Sequence, residues 1–114
     1  MIDKYIFGYI KINGEEFLKD VIIIGEEVYH PWWRKEGHSV SIEDLEYPIN
    51  KGIKEIVIGT GYYGFVKIDK ELIEELRKKD IKIESFKTQE AVKLYNNLDD
   101  EERKKKAFCL HLTC

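Results

Sequence analysis

With two cysteines and two prolines in 114 residues, no aliphatic run longer than four and no marked charge excess, several classes of protein are removed at once. Cys109 and Cys114 lie close together, and a bond between them would close only a small loop. That is no framework for a disulfide-built secreted scaffold, so both thiols are expected to be free. The longest aliphatic run, residues 21–24, falls far short of the roughly 20 apolar residues that a membrane-crossing helix needs. Met1-Ile2-Asp3-Lys4 carries no apolar leader stretch, and a cytoplasmic placement without a membrane partner is expected. The net charge of −3 lacks the positive excess that a phosphate-backbone binder displays, so no nucleic-acid partner is expected.

What is present fits one domain over residues 1–114, since domains of this size bury roughly two thirds of their unfolded surface. Hydrophobic residues make up 43%, enough for a core, and the 36% charged residues must coat the exterior.

Residues 5–12 and 17–24 are rich in aromatic and β-branched side chains, and Asn13-Gly14 between them suits a tight hairpin. Residues 25–37 lose all periodicity, and Pro31 forbids a central strand there, so they read as a long loop carrying Trp32 and Trp33. Ser41-Ile42-Glu43-Asp44 has the form of a capping box that opens a short helix, which Pro48 is expected to end. The apolar run 55–58 predicts a strand buried on both faces, and 65–68 a further strand. Asp69 is placed to cap a helix with Leu72, Ile73 and Leu76 on one side. A strand over 81–86 follows, then a helix capped by Thr88 with Ala91, Val92, Tyr95 and Leu98 on one side. The block 99–106 runs from acidic to basic, as a dipole-matched short helix does. The end, 107–112, predicts a strand with Phe108, Leu110 and Leu112 on one face and Ala107, Cys109 and His111 on the other. The order β-β-α-β-β-α-β-α-α-β predicts an α/β fold: a mixed central sheet covered by helices, with the opening β-hairpin as a separate layer.

Gly59-Thr60-Gly61-Tyr62-Tyr63-Gly64 has the spacing G-x-G-x-x-G. A dinucleotide fingerprint needs those glycines to open directly into a helix, whereas 65–68 looks extended. Two readings of the turn remain: a tight strand-to-strand connection, or a small anion-binding nest of amides aided by the Thr60 hydroxyl. Trp33 and Arg34 would partner the nest as an aromatic face and a two-pronged guanidinium. Cys109, His111 and Cys114 could share a metal or a redox role, but they are one ligand short of a closed zinc site, and no metal or cofactor is expected. No carboxylate pair suits acid–base catalysis, because caps and solvated helix faces account for the acids.

Trp33-Arg34, Val57-Ile58-Gly59-x-Gly61, Thr88-x-x-Ala91-Val92-x-x-Tyr95-Asn96 and the ending His111-x-Thr113-Cys114 together resemble the Mth-938-like domain family over almost the whole chain. The resemblance implies a three-layer α/β fold with a mixed central sheet and a packed N-terminal β-hairpin. It carries over no catalytic residues, although assembly and regulatory roles attach to animal members. It also groups Trp33, Arg34, Gly59, Gly61, Thr88 and Asn96 near one hollow, where Thr60 departs from the arginine of the animal relative.

The function expected is therefore a noncatalytic binding or assembly module with a protein partner, using a groove between the loop of Trp32, Trp33 and Arg34 and the turn at Gly59, Thr60 and Gly61. The alternative is a small enzyme or sensor that binds an anionic metabolite at that turn. No sequence feature supports a homo-oligomer.

Overall fold

The structure is a computed structural model describing residues 1–114. Asn13 and Gly14 adopt φ of 49° and 84°, the paired left-handed conformation of a two-residue hairpin turn, and so join β2 (Tyr9–Ile12) to β3 (Glu15–Phe17). Upstream, β1 (Ile2–Ile6) pairs antiparallel with β2 through a second tight turn at Phe7-Gly8, where Gly8 has φ 77°. The single strand expected over 5–12 is thus two strands, and the hairpin is a three-stranded sheet of order β1-β2-β3. The strand expected over 17–24 also divides. Leu18, Lys19 and Asp20 carry the chain out of this sheet, and β4 (Val21–Ile24) enters another.

That second sheet has the order β5-β4-β8-β6-β7, with β5 (Glu27–Tyr29), β6 (Glu55–Gly59), β7 (Lys82–Phe86) and β8 (Lys106–Leu110). β4 runs antiparallel to β5 and β8, whereas β6 is parallel to both β7 and β8, which makes the sheet mixed. β6 and β8 are buried along almost their whole length, the pattern of strands covered on both faces. β5 lies within the segment read as a loop; it pairs only with β4, at the sheet edge.

The alternation in β8 sorts the core into two. Ala107 and Cys109 pack with Trp32, Val40, Leu45, Leu72 and Leu76 on one face. Phe108, Leu110 and Leu112 pack with Ile10, Ile12, Phe17, Ala91 and Tyr95 on the other. Each fully buried Val, Leu, Ile or Phe among them contributes about 1.5–3 kcal/mol, so both faces are held chiefly by apolar burial. The three layers are the small sheet with α3 (Thr88–Asn97), the mixed sheet, and a layer of α1 (Glu46–Asn50), α2 (Lys70–Arg77) and the loop that carries Trp32. This is the fold that the sequence predicts.

Asp69 caps α2 by accepting from the Leu72 amide at 2.8 Å, and Asp99 caps α4 (Asp100–Lys104) in the same way from Glu102 at 2.9 Å. Two local expectations need correction. Pro48 does not end the first helix; it sits in the first turn of α1, where a missing N–H costs little. Residues 65–68 form no strand and contribute only an isolated bridge between Lys67 and Ser39. No helix is long and apolar enough to cross a membrane.

Candidate functional site

The amides of Thr60, Gly61 and Tyr62, which follow β6, are all engaged within the chain. The Thr60 N–H donates to the Phe86 carbonyl at 2.8 Å, Gly61 N–H to the Thr88 hydroxyl at 2.9 Å, and Tyr62 N–H to the Thr113 carbonyl at 2.7 Å. The Thr60 hydroxyl is turned onto the Phe86 carbonyl at 3.0 Å, so neither half of the expected anion nest faces a ligand. Buried amides must find partners, and here Phe86, Thr88 and Thr113 supply them. A Cβ on Gly61, which has φ 108°, would lie 2.6 Å from the Cys114 carbonyl oxygen. Gly59 is equally crowded, by Leu110 and Thr88. Gly59, Thr60 and Gly61 are thus tied to Phe86, Thr88 and residues 111–114, with the Thr60 and Gly61 amides and the Thr60 hydroxyl already bonded.

Thr88 is not the helix cap that its position suggested, since Lys87 occupies the N-cap. Its buried hydroxyl instead accepts from Gly61 and donates to the His111 carbonyl at 2.7 Å. Asn96 is also structural: its side chain accepts from the Ile2 amide and donates to the Ile2 carbonyl, both at 2.9 Å, and so ties α3 to β1.

Residues 111–114 fill the space expected to be a groove between the tryptophan loop and the turn. On one side they meet the turn, as described. On the other, His111 joins Arg34 and Asp20 in a compact network that the sequence reading missed. Asp20 Oδ2 lies 2.7 Å from both Arg34 Nη1 and His111 Nδ1, while Oδ1 accepts from the Leu112 amide at 2.9 Å. Burial alone would raise the Asp20 carboxyl, but the hydrogen bonds from His111, Arg34 and the Leu112 amide outweigh it and hold the group below its ordinary value. Arg34 also donates to the Gly37 carbonyl at 2.9 Å and stacks over the Trp32 ring at 4.7 Å. Its guanidinium thus pins the loop to β4 and the C-terminal segment and is not presented to a ligand.

His111 Nδ1 must carry a proton to bond a carboxylate, which leaves Nε2, 3.3 Å from the Thr113 hydroxyl, as acceptor. This has the outline of a base poised on a hydroxyl. Yet Arg34 Nη2 also stands 3.0 Å from Nδ1, so the ring is anchored by both members of the Asp20–Arg34 pair. The arrangement orders the chain end. Cys109 lies wholly in the core, where burial pushes its thiol far above the ordinary range, and Cys114 Sγ lies 3.8 Å from His38 Nε2. The strand expected over 107–112 ends at Leu110, so His111 lies just beyond β8, and no three His, Cys, Asp or Glu side chains are grouped to hold a metal ion.

The two indoles part company. Trp32 is buried, with its Nε1 donating to the Asp44 carbonyl at 2.8 Å, whereas Trp33 is 74% exposed. Trp33 stands as a ridge between two clefts. One, of about 310 Å³, holds Lys19, Asp20, Arg34, His111 and Thr113. The other, of about 330 Å³, is walled by Tyr29, Trp32 and Tyr47 and rimmed by Glu43, Asp44 and Glu46.

A separate group of exposed rings lies at Tyr62, Tyr63 and Phe65. Phe7, Tyr62, Tyr63 and Phe65 are each between 38% and 56% exposed. Their ring centroids lie 5.2–6.0 Å apart in one chain, Phe7 to Tyr62, Tyr62 to Tyr63, Phe7 to Tyr63, and Tyr63 to Phe65. Pinning of the 62 and 65 amides on the Thr113 and Cys114 carbonyls turns these side chains outward, and the Phe7-Gly8 hairpin adds the fourth ring from a different layer.

A family model described as a protein of unknown function, DUF498/DUF598, matches residues 2–110. The conserved hypothetical protein PH1505 from Pyrococcus horikoshii OT3 is similar to the chain, with 25% identity, a TM-score of 0.78 and coverage of 100% of this chain and 99% of that one. The protein MT938 has 25% identity and a TM-score of 0.75 over 100% of this chain and 98% of that one. A Bordetella pertussis protein described as a Mth938-like domain shares the fold at 16% identity, with a TM-score of 0.74 over 98% of this chain and 85% of that one.

Proposed function

The chain belongs to the DUF498/DUF598 family of proteins of unknown function, and from that premise we propose that it is a noncatalytic docking module. The partner is a protein that lays an apolar surface on Phe7, Tyr62, Tyr63 and Phe65. One observation carries this reading: four large rings touch one another on the exterior while a full core is available beneath them. Contiguous exposed apolar surface of this kind marks interaction sites, and aromatic residues dominate interface energetics. Backbone bonds from Tyr62 to Thr113 and from Phe65 to Cys114 hold the segment that carries three of the rings, so less ordering entropy opposes association. Lys87, whose alkyl chain runs along Gly64, gives the partner's rim a cation to meet with a carboxylate. The same reading keeps the chain in the cytoplasm, a reducing compartment that suits its two unpaired thiols.

The test uses purified partner. Proteins retained stoichiometrically by the wild-type chain are identified, produced and titrated against wild type and the Tyr63→Ser/Phe65→Ser double variant. Each buried aromatic hot spot is worth about 2 kcal/mol or more, so affinity should fall more than tenfold while the melting temperature holds. Equal affinity for the variant, or no stoichiometric partner for wild type, overturns the proposal.

A further inference from the structure

We infer that the cleft between Trp33 and the Tyr29–Tyr47 pair is a seat for an arginine side chain of a partner protein. The cleft shares no residue with the aromatic face beyond the turn, so this inference goes further than the docking reading and stands or falls without it.

Its walls are rings. Tyr29 and Tyr47 stack with centroids 4.1 Å apart at 16°, Trp32 and Ile22 lie buried at the base, and the exposed indole of Trp33 stands opposite. Two of these rings already hold cations elsewhere on their surfaces: Arg34 lies over Trp32 at 4.7 Å and Lys51 over Tyr47 at 5.5 Å. Trp33, the best ring type for a cation, holds none.

Charge decides what enters. Three carboxylates line the cleft, and no lysine or arginine does. The Asp44 carboxylate is engaged by the Ser41 and Lys35 amides at 2.8 and 3.1 Å, and Glu43 by the Lys35 ammonium at 2.8 Å. Glu46 is exposed on the first turn of α1 and has no ion-pair or hydrogen-bond partner. An aromatic wall facing an unengaged carboxylate fits a guanidinium, whose plane stacks on an indole while its N–H fork meets a carboxylate two-pronged. The volume of about 330 Å³ exceeds one side chain and leaves room for the partner's flanking backbone.

The experiment titrates N-acetyl-arginine amide into the labelled protein and follows the Trp33 indole N–H and the backbone amides of residues 46 and 47 by NMR. N-acetyl-citrulline amide, the neutral isostere, and N-acetyl-lysine amide serve as comparisons. The arginine probe should give saturable shifts confined to the cleft. Affinity should fall about fivefold or more for citrulline, for Glu46→Gln and for Trp33→Leu, as expected for loss of one ion pair or one cation–π contact, and should weaken with salt. Both substituted side chains are exposed, so the fold is retained. The inference is overturned by the absence of saturable shifts, by citrulline or lysine binding as tightly as arginine, or by a Glu46→Gln protein that binds as wild type does. Because the probes are small molecules, none of these results depends on the partner of the aromatic face.

Discussion

Asp20→Asn tests whether the Asp20–Arg34–His111 network holds the chain end in place. The side chains of Arg34 and Asp20 are only 5% and 16% exposed, so the pair is largely removed from water. An asparagine can still accept from the Leu112 amide, but its NH2 then faces the N–H groups of Arg34 and His111, donor against donor. Breaking a buried pair on one side costs about 3–5 kcal/mol, because the remaining charge is left uncompensated. At about 4 °C per kcal/mol for a domain of this length, the melting temperature should drop by about 12–20 °C. Urea unfolding of wild type, Asp20→Asn, Arg34→Met and the double variant apportions the loss: the two single losses should exceed the double by about 1–3 kcal/mol. The pH dependence has a fixed sign. A carboxyl held below its unfolded value of about 3.9 contributes fully above that pH, and the contribution fades as pH falls through its lower folded value. The gap between wild type and Asp20→Asn should therefore be widest near neutrality and narrow below about pH 4. A loss under about 1 kcal/mol, additive single variants, or a gap that stays constant into acid would refute the network as the clamp on this segment.

Two further outcomes follow from the same packing. Gly61→Ala places a Cβ against the Cys114 carbonyl in a left-handed backbone, and should destabilise the fold by about 3 kcal/mol or more by urea titration, against about 1–2 kcal/mol for Gly14→Ala, which has the backbone cost alone because its Cβ would meet nothing. Thiol titration with a disulfide reagent should find Cys114 reacting promptly in the native protein and Cys109 only at the rate of unfolding, because burial keeps its thiol protonated and out of reach; equal rates would contradict the burial.

Features set by a few neighbouring residues were legible in the sequence. Asn13-Gly14 named its turn, Asp69 named the start of α2, and the apolar run at 55–58 named a strand covered on both faces. Failures occurred where a distant partner overrides a local preference. Residues 17–24 read as one strand because nothing local shows that Phe17 belongs to one sheet and Val21 to another. Residues 27–29 read as loop because an edge strand can be short and polar when one neighbour, β4, supplies its ladder.

The site was legible in its residue types and not in their partners. Trp33 and Arg34 are adjacent in sequence, yet one faces solvent and the other is locked inside by Asp20, 14 positions away, and by His111, 77 positions away. The glycines of the turn were read either as a tight connection or as part of an amide nest, and neither reading showed that Gly61 packs against Thr113 and Cys114 and Gly59 against Leu110 and Thr88. Those four residues are the common element: His111 and Leu112 bond Asp20, Thr113 and Cys114 bond the turn, and the turn in consequence projects Tyr62, Tyr63 and Phe65 outward. Phe86 and Thr88 take up the Thr60 and Gly61 amides, while Thr113 and Cys114 accept from Tyr62 and Phe65 and hold the aromatic face beside them. The docking module we propose therefore rests on its rings rather than on backbone amides.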